Sequence, residues 1–518
     1  MSVATLASRG IGFVRVWVIA AVLGTTFLGN AYQSSSSVSN VLFELLAAGA
    51  LSAVLVPSFV HLLEAGEDHE AENLASGLLG LALAVMGVVC VVGVILAPQI
   101  ARLLSSGVHN PEVEQQQIAL STFLLRFFIP QVLLYVLGTV ATAILYAKRR
   151  FVVTAMAPIA NTVFVVAALV LFRVVAGPAP GLDLTLDEKL LLAIGGLLGV
   201  AGFVAVPVVA LMRSGFKFRP RFMRPDAGLR RALHLSAWAV LQHAGIGILL
   251  GTAIVMGNRV EGGVVAYQFA FVAFMAAYSI LAQPVHTTIL PDMSLDASRG
   301  GTSELADRVR WALDRIAILV LPVSAAYLAL SLPAMNVIAP ASSSPELLAA
   351  ALASLGVGLF VYSGFLLLAR AFYALGDSRT PALVALGAAL LGSAVEIIGV
   401  YAVDGGPARV AMLGAGHSTA YLVGAVLLFV MLRARLGRPL FPHSFWRALL
   451  ISAVLGAAAW GVERAIAPRE RLATAAVLAM IGVLGVGLYV GMLRMLPKRP
   501  VLREAALEPT DPDLAVEL

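Results

Sequence analysis

Long uninterrupted apolar segments recur along the whole chain and constrain its fold more than any other feature. A helix needs about 20 apolar residues to cross the hydrocarbon core of a bilayer. Charged residues make up 12% of the sequence, about half the share of a soluble domain, so a soluble fold of this size could not cover its surface. Strands of a membrane barrel would alternate over about 10 residues, whereas these segments are continuous. The sequence therefore predicts an all-α, polytopic membrane protein.

Breaks rich in charged and turn-forming residues divide the chain into fourteen predicted transmembrane spans. The connections between them are short and leave no room for a sizeable soluble domain. The spans are 4–24, 31–62, 74–99, 118–147, 151–174, 189–212, 230–257, 264–290, 311–335, 347–375, 381–403, 409–432, 445–466 and 471–495.

The sequence carries no motif of an ATP-driven or hydrolytic enzyme. It has no Walker loop, no nucleophile arrangement, no Gly-rich phosphate cradle and no metal-ligand spacing. Its single cysteine, Cys90, excludes an intramolecular disulfide. We therefore expect a protein that is not an enzyme, uses no cofactor or metal and binds no nucleic acid.

Lys and Arg are distributed unequally between the two predicted sides of the membrane. Connections on the side of the N-terminus hold 22 of the 35 residues, and the opposite side holds eight. Because cytoplasmic loops carry an excess of Lys and Arg, the bias predicts that both termini are cytoplasmic. The basic connection 213–231 and the tail after 498 suit a protein partner or an anionic lipid, or they only enforce this topology.

A weak internal repeat relates the two halves of the sequence. Val56-Pro57-Ser58 ends the second span, and Leu290-Pro291-Asp292 ends the eighth. Tyr146-Ala147-Lys148 ends the fourth span, and Tyr373-Ala374-Leu375 ends the tenth. Copies that lie six spans apart have the same orientation in the membrane. The sequence thus predicts two parallel six-helix lobes (1–225 and 226–440), two further helices (441–497) and a cytoplasmic tail (498–518).

Charged and polar side chains within the first two spans are candidates for a substrate site, since such groups usually face a bundle interior or a cavity. Arg9 and Arg15 either line a cationic cavity for an anionic headgroup or extend to the interface. They also interrupt the first segment, which lacks a cleavage site, so we expect a retained span rather than a signal peptide. Asn40 and Glu44 share a helix face. Glu44 either pairs with Arg15 across an unloaded cavity or makes a purely structural contact.

The second half of the chain carries its own polar candidates. Gln242 and His243 lie in the seventh span, and Gln268 and His286 lie in the eighth. They either contact a headgroup in a cavity between the lobes or are satisfied interior groups. Glu396, midway along the eleventh span, has no adjacent basic residue, so it is either a coupling-ion site or a protonated structural carboxyl.

Several motifs resemble those of the MurJ (MviN) family of lipid II flippases, within the MOP exporter superfamily. They occur in the family's order over residues 8–381 and agree with a fourteen-helix architecture. They are Ser8-Arg9-Gly10-Ile11-Gly12-Phe13-Val14-Arg15, Asn40, Ala48-Gly49-Ala50-Leu51-Ser52-Ala53, Val56-Pro57, Ile289-Leu290-Pro291 and Arg370-Ala371-Phe372-Tyr373-Ala374-Leu375-Gly376-Asp377-Ser378-Arg379-Thr380-Pro381.

The resemblance implies a flippase that moves undecaprenyl-pyrophosphate-linked disaccharide-pentapeptide, lipid II, from the inner to the outer leaflet. Alternating access, driven by the membrane potential or an ion gradient, would carry the charged headgroup past the hydrocarbon. Spans 1, 2, 7 and 8 would line the cavity, and spans 13 and 14 would hold the lipid tail. Arg9 and Arg15 match the family's first-helix arginines, of which the deeper meets the diphosphate. Membrane lipids and cell-wall synthesis proteins are the implied partners.

Three departures from the family change the charge expected in this cavity, which loses some of the usual positive charge and gains Glu44. Phe43-Glu44 stands where the family often has an Arg pair, Asn30 where it often has an acid, and an apolar residue near Val272 where it has an Arg. They are typical of a divergent, actinobacteria-like branch or of another substrate. The alternatives are a flippase for another polyprenyl-linked glycan, a cation-coupled multidrug exporter of the MATE type, and a scaffold that recruits cell-wall enzymes.

Overall fold

The computed structural model describes residues 2–43, 59, 62–63, 65–216, 219–221, 227–468 and 470–495. Helices account for nearly all of these residues, and no strand occurs among them. The helices are α1 Ser2–Leu23, α2 Phe27–Phe43, α3 Asp68–Ile95, α4 Ala97–Ser105, α5 Pro111–Phe128, α6 Gln131–Ala147, α7 Phe151–Ala176, α8 Leu186–Arg213, α9 Ala227–Gly257, α10 Gly263–Leu281, α11 Gln283–Ser298, α12 Thr302–Ile338, α13 Pro345–Val357, α14 Leu359–Ala374, α15 Arg379–Ala402, α16 Gly406–Leu436, α17 Phe445–Ile466 and α18 Arg471–Met495.

Among the described residues, eleven segments are long and apolar enough to cross a membrane. The bent pair α13 and α14 makes a twelfth. The fourteen predicted spans also include α1 and α2, and the apolar stretch described in α1 is the shorter segment Gly10–Leu23. The prediction of an all-α, multi-pass membrane protein is confirmed.

Three of the predicted spans contain an internal break. Pro130 separates α5 from α6, and Pro284 follows the break between α10 and α11. Proline lacks the N–H of a helical hydrogen bond and clashes with the preceding turn. The third break, at Gly358, bends α13 against α14 by 44°. A Cβ at Gly358 would lie 2.5 Å from Ser418 Oγ, so glycine lets α16 approach the bend.

The helix packing repeats after six spans, as the sequence repeat predicts. In the N-terminal half (α1–α8), α1 packs on α7, α7 on α8 and α6 on α8. In the C-terminal half (α9–α16), α9 packs on α15, α15 on α16 and α14 on α16. The breaks at Pro130 and Gly358 also occupy matching spans, the fourth and the tenth. The terminal pair (α17–α18) packs on α12 and stands outside the repeat.

The apolar cores of the two halves extend into each other. The core of the C-terminal half takes in Val16 and Ala20 of α1. One of the clusters of the N-terminal half likewise takes in Ile254 of α9 and Val264 of α10. The two halves are therefore in direct apolar contact around the ends of α1 and α9.

The outer surface of the bundle is apolar, as contact with lipid requires. In α18, Leu472 is 84% exposed and Val483 is 74% exposed. The helix is held to the rest of the bundle by few polar contacts, among them the bond from the Tyr489 hydroxyl to the Ile318 carbonyl oxygen, at 2.8 Å.

We expect Gly392→Ala to destabilise the contact between α15 and α16. A Cβ at Gly392 would lie 2.6 Å from the Gly416 carbonyl oxygen and 2.7 Å from the Ala420 Cβ. Overpacking of this kind costs about 1–3 kcal/mol, which should lower the thermal unfolding midpoint in detergent. Gly387→Ala in the same helix is the control, because its Cβ would meet open space and alanine favours helix. Equal midpoints for the two variants would contradict the close packing described.

Candidate functional site

The two halves meet at one face of the bundle, where α1 ends, which we call the far face. The turn after α1 contacts the turn between α9 and α10 and the turn after α12. Gly24 has a φ of +68° and Gly262 a φ of +72°. A Cβ at Gly262 would lie 2.3 Å from Thr25 Cβ, and one at Gly24 would lie 2.8 Å from the Ser342 carbonyl oxygen. Both positions require glycine, by conformation and by space.

Asn30 joins the halves directly below these turns. It is fully buried in α2. Its Nδ2 donates to the Val260 carbonyl oxygen at 2.8 Å, and its Oδ1 accepts from the Val264 backbone N–H at 3.0 Å. One neutral side chain thus satisfies a donor and an acceptor at the start of α10.

Asn258 makes a second buried connection beside Asn30. Its Nδ2 donates to Ser34 Oγ at 2.8 Å, and its Oδ1 accepts from Gln117 Nε2 at 2.7 Å. These four residues, Asn30, Ser34, Gln117 and Asn258, are at most 1% exposed. We call them the amide clasp.

The contact between the halves continues inward from the clasp. Gln268 Nε2 donates to Ser37 Oγ at 3.0 Å, and the rings of Phe13 and Phe269 are 5.1 Å apart. Ser37 lies ten residues beyond Phe27, or about 15 Å along the helix. The described hydrogen bonds between the halves thus lie in the part of the bundle nearer the far face, and the structure is closed there.

Arg15 points into the N-terminal half rather than toward lipid. Its Nη1 donates to Asn161 Oδ1 of α7 at 3.1 Å. Its Nε is buried and has no hydrogen-bond partner among the described residues, and Tyr32 and Tyr135 lie within electrostatic reach. Eight residues separate Arg15 from the end of α1, about 12 Å. The guanidinium therefore lies near the depth at which the described contact between the halves ends.

The other N-terminal candidates are described only in part. Asn40 Oδ1 accepts from the Tyr135 hydroxyl at 3.1 Å, within the N-terminal half. Glu44 lies outside the described residues, as does the side chain of Arg9. The partner described for Arg15 is Asn161, so the expected pairing with Glu44 stays a prediction.

Gln242 and His286 both lie inside the C-terminal half. The Tyr373 hydroxyl donates to Gln242 Oε1. His286 is fully buried, its Nδ1 is hydrogen-bonded to the Tyr278 hydroxyl at 3.2 Å, and Arg370 is close enough to act on it electrostatically. The break before α11 directs His286 into the half itself. His243 is partly buried and engaged in an interaction.

Glu396 has a basic neighbour that the sequence alone did not indicate. It is fully buried, and its Oε1 lies 2.8 Å from His417 Nδ1 of α16. His417 Nδ1 is also hydrogen-bonded to the Leu413 carbonyl oxygen at 3.1 Å, within the same helix. His417 Nε2 is hydrogen-bonded to the Tyr267 hydroxyl at 2.9 Å. The expectation of an acid without a basic partner is wrong, because the antiparallel neighbour brings His417 to the same depth.

Tyr267 connects this pair to the contact between the halves. The next residue in α10, Gln268, bonds to Ser37 of the N-terminal half. A change at Glu396 and His417 that displaces Tyr267 would therefore act on the same helix turn that holds the halves together.

The face of the bundle opposite the far face is called the near face. There, Asp377 orders the turn that joins α14 to α15. It accepts hydrogen bonds from the Thr380 backbone N–H at 3.0 Å and the Thr380 hydroxyl at 2.9 Å, and from Arg435 Nη1 at 3.0 Å. Burial raises the pKa of Asp377, but these bonds and the Arg435 charge together lower it below its usual value. The acid is thus held as a carboxylate that ties the turn to the end of α16.

Sequence reasoning missed Gln117, Asn258, Asn161 and His417. Each has a partner that is remote in sequence, so no local pattern pointed to the pair. Among the described residues, no group of three or more His, Cys, Asp or Glu side chains is arranged to hold a metal. In the described geometry, each half of the bundle contains buried polar side chains, and polar side chains also join the two halves.

The family model of the lipid II flippase MurJ matches residues 19–479, which is most of the chain. The chain belongs to the lipid II flippase MurJ family. It is accordingly a multi-pass protein of the bacterial cytoplasmic membrane, in a family of flippases rather than of enzymes.

Curated relatives in this family match at similar levels. A probable lipid II flippase MurJ of Rhizobium tropici is 25% identical over 401 residues, 76% of this chain and 73% of the relative. The lipid II flippase MurJ of Burkholderia cenocepacia is 25% identical over 402 residues, covering 74% of each.

Solved structures share the fold. A lipid II flippase MurJ in its inward closed conformation has a TM-score of 0.75 at 17% identity and covers 95% of this chain and 98% of its own. An inward-facing multidrug resistance MATE family transporter of the MOP superfamily has a TM-score of 0.64 at 16% identity, over 83% and 94%. At these identities the likeness shows the fold alone.

We expect Asn30→Leu to loosen the far face. The variant leaves the Val260 carbonyl oxygen and the Val264 N–H without partners, and each such buried group costs about 1–3 kcal/mol. Amide hydrogen exchange in the segment 258–266 should therefore become roughly tenfold faster or more. Asn40→Leu is the control, since it removes a hydrogen bond within one half. Unchanged exchange in Asn30→Leu would show that the amide does not hold the halves together.

Proposed function

We propose that this chain moves lipid II from the inner to the outer leaflet by alternating exposure of a site between its two halves. The observation that carries the proposal is the closure of two repeated helix groups at one face, in a chain of the lipid II flippase family. A flippase of this kind needs no catalytic residues, and we propose that the chain is not an enzyme.

In this proposal the moving bodies are the two predicted lobes, 1–225 and 226–440. The far-face contact is made of neutral hydrogen bonds and small turns, which can be replaced by water when the halves separate. Helices α17 and α18 (within 441–497) move with the C-terminal lobe, because they pack on α12. The exposed apolar surface of α18 would accompany the lipid tail.

We propose that the near face is cytoplasmic, together with both termini and the tail 498–518. The excess of Lys and Arg on that side supports this orientation. The described state would then be closed to the outside. It would receive the headgroup from the cytoplasmic leaflet.

Arg15 is proposed to meet the diphosphate of the headgroup, with Asn40, Gln242, His243, Gln268 and, from outside the described side chains, Arg9 and Glu44 as further contacts. One N–H of the Arg15 guanidinium donates to Asn161, and its buried Nε has no hydrogen-bond partner among the described residues. A guanidinium that is held in place yet incompletely satisfied suits a phosphate, which it binds in a bidentate manner. His286 would support this region from inside the C-terminal lobe.

The membrane potential can supply the direction of transport. An inside-negative potential of 100 mV drives negative charge outward. Moving about two such charges across it is downhill by roughly 4–5 kcal/mol. After release, the protein returns to the receiving state without a headgroup. We propose that a proton or cation at Glu396 and His417 favours the return, since Tyr267 connects them to the α10 turn at the lobe contact.

A MATE-type exporter is the second candidate, because a MATE transporter shares this fold with a TM-score of 0.64. Reconstituted vesicles distinguish the candidates. We expect headgroup-resolved flipping of lipid II that increases with an imposed inside-negative potential. Flipping of another polyprenyl-linked glycan instead, or ion-dependent efflux of small organic cations without lipid flipping, would overturn the proposal.

We expect Arg15→Ala to abolish complementation of a flippase-depleted strain at normal protein levels. The substitution removes the charge proposed to meet the diphosphate, whereas Arg15→Lys keeps it and should retain partial activity. Arg126→Ala, which removes an exposed arginine from α5, should complement fully. Wild-type growth with Arg15→Ala would remove Arg15 from the mechanism.

We expect Glu396→Gln to uncouple flipping from a proton gradient. The amide keeps the size of the side chain but cannot bind and release a proton. Initial flipping rates in vesicles should respond several-fold to an imposed pH gradient in the wild type and not in the variant. Glu346→Gln, at the start of α13, serves as the control. The same gradient response in Glu396→Gln and the wild type would exclude this coupling site.

A further inference from the structure

A cavity of about 340 Å³ lies at the far face where both halves and the terminal pair come together. Its walls come from α1, from the end of α7, from the end of α12 with the following turn, and from the start of α18. The lining residues on which the inference depends are Trp17, Arg173, Ile338, Ala339, Ser342 and Arg471.

Two arginines face this cavity, and each uses one of its N–H donors in a hydrogen bond to a described residue. Arg173 Nη1 donates to the Gly177 carbonyl oxygen at 2.8 Å, and Arg471 Nη2 donates to the Ala339 carbonyl oxygen at 2.8 Å. A guanidinium has five N–H donors. No acidic residue lines the cavity, and neither arginine forms an ion pair with a described residue. The cavity therefore presents two positive charges without a counter-charge from the described part of the chain.

The position of the cavity in the bundle suits the headgroup region of a bilayer. It is bounded by helix ends, and Trp17 Nε1 donates to the Ile338 carbonyl oxygen at 2.8 Å, as is typical of tryptophan at a membrane interface. The neighbours of the two arginines in sequence face outward: Val174 is 75% exposed and Leu472 is 84% exposed. A lipid could place its acyl chains against these residues and its headgroup between the arginines.

We propose that this cavity binds the phosphate of a lipid headgroup at the far face. A guanidinium group matches the geometry of phosphate oxygens, and the adjoining apolar surface favours a lipid over a soluble anion. The site is separate from Arg15, which points into the N-terminal half.

Binding there would stabilise the closed far face. The cavity exists only while α1 contacts the turn after α12, where Ser342 Oγ lies 3.0 Å from the Ala20 carbonyl oxygen and 2.8 Å from that of Ala21. Separation of the halves would divide its walls. A ligand that binds only one state shifts the equilibrium toward that state, so a bound lipid phosphate would hold the protein closed.

Native mass spectrometry of the purified full-length chain tests the site. The probes are phosphatidylglycerol, undecaprenyl diphosphate and, as a lipid without phosphate, glucosyl diacylglycerol. We expect the wild type to retain a phosphate-bearing lipid, and the double variant Arg173→Gln with Arg471→Gln to retain it at least tenfold less. Glutamine can still donate to the helix carbonyls, and the single variants give the same test if the double variant does not fold.

The control is Arg464→Gln, which removes an arginine stacked over Trp460 at the end of α17 and should leave retention unchanged. Arginine-dependent retention of phosphatidylglycerol identifies a resident phospholipid, and that of undecaprenyl diphosphate alone identifies a polyprenyl lipid; either supports the site. Unchanged retention of both in the double variant overturns it, as does equal, arginine-dependent retention of the glycolipid.

A second measurement separates ligand binding from helix capping. Amide exchange in the segment 337–344 should slow when the retained lipid is added to the wild type and should not change in the double variant. A lipid effect of equal size in both proteins would overturn the proposed link to closure.

Discussion

Amide groups buried away from water must find partners within the protein, and this requirement joins the two halves of the bundle. Asn30 uses both ends of its amide across the contact, and Asn258 bridges Ser34 and Gln117. A buried polar group left unpaired costs about 1–3 kcal/mol. Sliding one half past the other by a helix turn would break all of these pairs. The amide clasp therefore fixes how the two halves are aligned when the far face is closed.

The same contacts are weak enough to open. A neutral hydrogen bond contributes only about 0.5–1.5 kcal/mol net, because water can replace either partner. Breaking one partner inside a dry interface is costly, whereas exposing both partners to water is not. A contact of neutral amides therefore resists local loosening but permits the halves to separate as units. Gly24 and Gly262 serve this behaviour by allowing turns to meet without interlocking side chains.

The sequence predicted those features that depend on neighbours along the chain. Apolar segments predicted the spans, and the repeat appears in the matching breaks at Pro130 and Gly358. It did not predict pairs such as Glu396 with His417, because these depend on the relative depth and rotation of separate helices. If the predicted position of a residue along its helix is wrong by one, the predicted direction of its side chain around the helix axis changes by about 100°. Arg15 could be expected inside the bundle, since an arginine in hydrocarbon needs polar surroundings, but Asn161 could not be named.

Position 30 shows how this chain differs from the family pattern that it resembles. A carboxylate can only accept hydrogen bonds, so an acid there would suit the Val264 N–H and oppose the Val260 carbonyl oxygen unless it were protonated. The neutral amide of asparagine satisfies both groups at any pH. Closure of the far face then needs no proton. Any proton dependence must arise elsewhere, and we propose the buried Glu396 and His417 as its source, since Tyr267, which bonds to His417, directly precedes Gln268 at the lobe contact. Binding by Arg15 and coupling by this pair would thus be divided between the two halves, with α10 linking the pair to the lobe contact through Tyr267 and Gln268.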